Sequence, residues 1–195
     1  LKAPLIPQND SERVAILREL LILDTAPEDR FDVITTYSQS RFGVEIAVVS
    51  LVDADRQWFK SICGLDAKET PRNVSFCGHA ILEDKVMEVR DAQLDERFSD
   101  NPLVIGAPYI RFYAGAPLKH SSGHVLGTLC LIDSRPKRLA PEEMDHLIVL
   151  AHMVTMELEN QGRIDDCKQN CLYGHLPTTC PYKDTKHQLP EHLVS

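Results

Sequence analysis

The sequence predicts an α+β domain: a central antiparallel sheet of about six strands, helices on one face, and a pocket face of loops and short helices. Three observations carry this reading. Two stretches of helical periodicity open the chain, short β-branched segments joined by tight turns fill its middle, and a strongly amphipathic stretch beginning at Pro141 closes it. With 195 residues, 43% of them hydrophobic, there is room for one medium-sized core and short extras.

The elements follow in order. Asn9 to Asp24 sets Val14, Ile16, Leu17, Leu20, Leu21 and Leu23 on a helical stripe, with Asp10 or Ser11 as cap and Glu12 in the first turn. Thr25 and Pro27 are expected to restart a helix as its cap and first helical residue. That helix carries Phe31, Ile34, Tyr37 and Phe42 on one side and stops at Gly43. Val44 to Val52 is a β-branched run, and Asp53-Ala54-Asp55 turns it into a second strand, Gln57 to Ile62. Ser75 to Leu82 reads as a short helix and Val86 to Val89 as a strand. Arg111 to Leu118 and His124 to Ile132 are strands around the turn Ser121-Ser122-Gly123. The last helix, Pro141 to about Asn160, has a stripe of Met144, Leu147, Ile148, Ala151, Val154 and Leu158. This divides the chain into an N-terminal segment and helix (1–26), a core with its closing helix (27–160) and a Cys/His-containing tail or linker (161–195).

Composition removes several function classes. The chain has 21 Lys and Arg against 29 Asp and Glu, a formal net charge of −8. Nucleic-acid affinity comes from cations that neutralise phosphates, so no nucleic-acid partner is expected. The longest apolar runs are far shorter than a membrane span, and no signal peptide opens the chain. A cytoplasmic location with reduced thiols is the expectation. The chain begins Leu1-Lys2-Ala3-Pro4 without an initiator Met, so it is expected to be a fragment or a trimmed form with flanking domains missing. No Gly-rich phosphate loop, no Gly-x-Ser-x-Gly elbow, no His-Glu-x-x-His helix and no calcium loop occurs. A non-enzymatic domain is expected.

A series of specific strings then appears in order. Asp24-Thr25-Ala26-Pro27-Glu28-Asp29-Arg30-Phe31-Asp32 precedes Phe42-Gly43-Val44 and Val49-Ser50-Leu51-Val52-Asp53. Asp55-Arg56-Gln57-Trp58-Phe59-Lys60-Ser61 and Ser75-Phe76-Cys77-Gly78-His79-Ala80-Ile81 follow. Arg97-Phe98, Asn101-Pro102-Leu103-Val104, Arg111 to Leu118 and Gly127 to Asp133 complete the series. Across residues 8–160 this closely resembles the GAF domains of bacterial signalling proteins, in the subgroup that precedes diguanylate cyclase or histidine kinase modules. The resemblance implies a small-molecule pocket on one sheet face and terminal helices that pair with a second copy, giving a homodimer. It leaves the ligand unknown and assigns no cofactor.

Candidate pocket residues are Trp58, Phe59, Cys77, His79, Asp91, Arg97, Phe98, Tyr109, Arg111 and Tyr113, aromatic walls with a few polar fixers. Cys77 and His79, two apart at a helix start, offer a redox-reactive thiol whose pKa the helix N-terminus and a neighbouring cation would lower, a metal-ligand pair, a covalent cofactor attachment, or a pair that only packs beside the pocket. Arg97 alternatively bridges to Asp91 or Asp95. In the tail, Cys167, Cys171, His175 and Cys180 form a chemically reasonable zinc set; the alternative is a linker with incidental Cys and His. Three functions are weighed. The first is a sensory domain that binds a small ligand or senses redox state and signals through its terminal helices. The second resembles free methionine-R-sulfoxide reductase, with Cys77 at one of its cysteine positions. Against it, no Cys lies between Cys77 and Cys130, where that reaction needs its nucleophile. The third is an interaction module without a ligand. The signatures of bilin-binding and cyclic-nucleotide-binding relatives are absent.

Overall fold

A computed structural model describes residues 2–172. Its frame is a sheet of six strands: β1 (Ile46–Val52), β2 (Arg56–Cys63), β3 (Glu69–Pro71), β4 (Met87–Val89), β5 (Phe112–Lys119) and β6 (Val125–Asp133). All neighbours are antiparallel, in the spatial order β3-β2-β1-β6-β5-β4. Helices α1 (Asp10–Glu19), α2 (Asp29–Phe42) and α5 (Pro141–Leu172) cover one face, and the short α3 (Phe76–Ala80) and α4 (Pro102–Ile105) lie on the other.

Both faces are covered, so the central strands are continuous apolar runs and their alternation decides which core each residue joins. Ala47, Val49 and Leu51 of β1 point to the helices, with Leu17 of α1, Phe31 and Ile34 of α2, and Leu147, Val154 and Leu158 of α5. Ile46 and Val48 point the other way, to Phe76 and Cys77 of α3 and to Phe98 and Ile110. Each fully buried large side chain contributes roughly 1.5–3 kcal/mol, so the helix-side core supplies most of the apolar driving force.

Several sequence expectations are corrected. Helix α1 stops at Glu19 rather than reaching Asp24, because Leu21 and Asp24 adopt positive φ (50° and 60°) and swing the chain back to bury Ile22. Neither Asp10 nor Ser11 caps it. Asn9 holds that position without a side-chain bond, and the Asp10 carboxylate instead bridges Arg13 (2.9 Å) and Arg72 (2.8 Å). Helix α2 starts at Asp29, not at Pro27, because Thr25 is engaged elsewhere: its hydroxyl donates to the Ile22 carbonyl at 2.7 Å and accepts from Lys60. Gly43 ends it in the left-handed region, as expected. Tyr37 and Ile148 are about half exposed and leave the stripes assigned to them; Leu150 is buried in α5 instead. Strand β3 and helix α4 were not anticipated, and α5 runs on past Asn160 to Leu172.

Candidate functional site

On the face opposite the long helices, the sheet and α3 enclose a cavity of about 40 Å³. Ser75 creates its roof by accepting the Gly78 amide at 2.7 Å, the capping bond that starts α3 and turns Phe76 and Cys77 onto the sheet. Its floor follows from register. Val48 of β1 pairs with Cys130 of β6, which pairs with Gly115 of β5, so Val48, Cys130 and Ile132 fall on this side with Tyr113. Tyr113 lies over Gly115, where a Cβ would collide with the phenol oxygen. Half-buried Phe59, Leu65 and Leu103 form the outer wall.

The polar atoms of this cavity belong to a compact group. The Cys77 and Cys130 sulfurs, both free thiols, are 3.9 Å apart. The Tyr113 hydroxyl donates to Cys77 Sγ at 3.4 Å and lies 3.5 Å from Thr128 Oγ1. At the rim the Gln57 amide donates to Thr70 Oγ1 at 2.6 Å. Burial pushes the Cys77 thiol up, but hydrogen bonds from Cys130, Ser50, Thr128 and Tyr113 outweigh it and bring the pKa down to about 6. The hydrogen bond with Cys77, with burial added, holds Cys130 well above its ordinary value. Burial and the neighbouring sulfurs raise Tyr113 too, so it stays a phenol and a donor. The pair thus gives up its first proton from Cys77.

Of the ten residues expected in a pocket, Phe59, Cys77 and Tyr113 line the cavity, and Phe98 backs it by stacking on Phe76 at 4.0 Å. The other six do not line it. Trp58 pairs with Leu51 and faces the long helices, because strand alternation sends it opposite to Phe59. His79 is two residues from Cys77, and i, i+2 positions on a helix do not face each other. Its Nε2 meets the Lys2 carbonyl at 3.0 Å and its ring packs nearly perpendicular to that of Phe98, centroids 4.9 Å apart, so no thiol–imidazole pair forms. Asp91 and Arg111 form a two-pronged ion pair (2.7 and 2.6 Å), and Arg97 pairs with Asp95 (2.9 and 2.7 Å), all in surface loops. Tyr109 takes φ 60° and is 59% exposed, while Pro108 and Ile110 beside it reach the cavity. Cys130, Val48 and Gln57 were missed. Finding them needed the strand register, which depends on pairing between distant segments.

Among the described residues no group of three or more His, Cys, Asp or Glu is gathered as for a metal. Cys167 and Cys171 lie one turn apart on α5, while His175 and Cys180 of the suggested zinc set lie outside the described residues. No described helix is long and apolar enough to cross a membrane.

The GAF domain family model matches residues 26–158. A cyclic di-GMP phosphodiesterase of Pseudomonas aeruginosa is 41% identical over 166 residues, covering 82% of this chain. The chain spans 28% of that relative's length. Among solved structures, the GAF domain of an Acinetobacter phosphoenolpyruvate-protein phosphotransferase superposes with a TM-score of 0.58 at 15% identity, covering 80% of this chain and 98% of that one. The free methionine-R-sulfoxide reductase of Neisseria meningitidis gives 0.57 at 18%, covering 85% and 99%. Likeness at those identities establishes the fold alone.

Proposed function

The chain belongs to the GAF domain family, and on that premise we propose that it is the non-catalytic regulatory input module of a cyclic di-GMP signalling protein. The observation that carries this is the 41% identity to a segment of the Pseudomonas aeruginosa phosphodiesterase. The input is a change in the cavity beneath α3. The output is α5, which packs on β5 and β6, the strands that carry Tyr113 and Cys130 on their other face. A ligand that fits one arrangement of the cavity better shifts the population toward it, and the sheet passes that bias to α5.

Helix α5 suits an output. Beyond its buried stripe it exposes Val149, Met153 and Met156, spaced i, i+4, i+7 along one face. A second copy of the chain is the partner this face fits, in a homodimer joined along α5. A specific observation favours a second reading, the interaction module without a ligand. About 40 Å³ is far below the roughly 300–1,000 Å³ of ordinary ligand pockets, so the cavity admits only a very small molecule unless it opens.

A chimera tests the proposal. This chain replaces the corresponding segment of the Pseudomonas aeruginosa phosphodiesterase, and cyclic di-GMP hydrolysis is compared between the native cavity and the Tyr113→Phe cavity. The expected result is hydrolysis whose rate changes with the cavity residue. Equal rates from both folded chimeras would reject the input role.

A further inference from the structure

We propose that Cys77 and Cys130 are a peroxide-reactive thiol pair, oxidised to a disulfide by a hydroperoxide as small as hydrogen peroxide that enters the cavity beneath α3. This rests on the reading of that cavity as the input site and supplies the chemical class of the input.

Four observations converge. The two sulfurs are in van der Waals contact, 3.9 Å apart, on elements distant in sequence, and both line the same cavity. The space, about 40 Å³, holds roughly two or three waters, which suits a two-oxygen molecule and excludes a nucleotide or a sugar. A hydroxyl donor stands beside the nucleophile: Tyr113, 3.4 Å from Cys77 Sγ and fixed over Gly115. Finally, the two thiols differ in acidity in the way a nucleophile and a resolving thiol require. Cys77 ionises near 6, and its sulfur in turn keeps Cys130 protonated.

The chemistry balances with hydroperoxide as the oxidant. The Cys77 thiolate attacks one peroxide oxygen, the O–O bond breaks, and hydroxide leaves, taking up a proton to become water while Cys77 becomes a sulfenic acid. Cys130 then attacks the Cys77 sulfur and forms the S–S bond. The sulfenic oxygen leaves with the Cys130 thiol proton as a second water. Two thiols lose two electrons and two protons in all, and one peroxide is reduced to two waters. Tyr113 is a positioning residue, whose hydroxyl holds the thiolate toward the cavity.

Bond formation draws α3 toward β6, and α3 is tied on its outer side to the start of the chain. His79 Nε2 meets the Lys2 carbonyl, the Lys2 amide donates to the Arg97 carbonyl at 3.3 Å, and buried Pro4 packs against Gly78. Oxidation therefore displaces the N-terminal segment together with the sheet.

The test exposes the reduced full chain to stoichiometric hydrogen peroxide, quenches it by alkylation after denaturation, and maps the peptides by mass spectrometry. The expected product links the Cys77 and Cys130 peptides and is reversed by dithiothreitol, with half-exposed Cys63 as the internal reference. Cys130→Ser is expected to stop at a sulfenic acid on Cys77 that dimedone traps, and Cys77→Ser to leave Cys130 a thiol. Tyr113→Phe is expected to slow oxidation about tenfold, the loss of one hydrogen bond to a charged sulfur, while the same link still forms. Circular dichroism on each variant reports the fold. Cys77 and Cys130 that stay reduced while Cys63 oxidises in the folded chain would overturn the proposal. If the phosphodiesterase chimera still responds to the cavity residue in that event, only the peroxide assignment fails; if neither responds, the input reading fails with it.

Discussion

The ionisation of Cys77 has a consequence for stability. A thiol that ionises near 6 in the folded chain, against an ordinary 9.0, binds fewer protons folded than unfolded across that window. The native state therefore gains stability as pH rises from about 6 to 9; the gain is fully present above 9 and is lost as pH falls through about 6. Cys130, whose pKa is raised, acts with the opposite sign and only above its ordinary range. Urea titrations at several pH values are expected to show this slope in the native chain and a flatter one in Cys77→Ser. Gly115 is the other residue on which the site depends. Gly115→Ala places a methyl group where the Tyr113 phenol lies and is expected to cost about 1–3 kcal/mol as overpacking. The same change should slow Cys77 oxidation, which thiol trapping measures, because the donor is displaced.

At the scale of elements, the strings over 24–32 and 55–61 build the joint between helix layer and sheet, while those over 75–81, 111–118 and 127–133 supply Cys77, Tyr113 and Cys130 to the cavity. Lys60 occupies the bulge where β2 slips against β1. Its side chain is fully buried, with Nζ 2.6 Å from Glu28, 2.7 Å from Thr25 and 2.8 Å from the Ala26 carbonyl. Next to it, Ser61 bonds Asp32 (2.5 Å) and Thr35 (2.8 Å) of α2. Lys60→Met is expected to cost about 3 kcal/mol, the low end for breaking a buried pair, because Glu28 keeps Arg30; chemical denaturation measures it. These contacts also explain what could be read in advance. The long helices and strands announce themselves by periodicity, whereas the start of α2 was misplaced at Pro27 because the contacts that engage Thr25 come from Ile22 and from Lys60 on a distant strand. Strand β3 and helix α4, three and four residues long, are too short to show a period. Trp58 and Phe59 are adjacent and both aromatic, so composition could not say which faces the cavity; only strand register assigns the first to the helices. Cys77 was legible by its motif, whereas its partner Cys130 lies 53 residues away and is brought beside it by folding.

At the scale of the molecule, the sheet is the link between a small thiol-lined cavity on one side and a long helix on the other. Helix α5 buries Leu147, Val154 and Leu158 against the sheet and leaves Val149, Met153 and Met156 outward. Replacing Met153 and Met156 together by Glu is expected to shift sedimentation toward the monomer while leaving the helix-side core and its unfolding midpoint little changed, since both side chains are about half exposed. An unchanged sedimentation profile would reject the proposed homodimer contact along α5.

Hydrogen exchange tests the central claim, coupling between cavity and helix, most directly. Backbone amides of α5 and of the N-terminal segment are compared in the native chain, in Tyr113→Phe and after peroxide treatment. Coupling predicts altered protection in α5 and in residues 2–8 whenever the cavity is altered. Changes confined to α3 and the cavity side of the sheet, with α5 untouched, would contradict it.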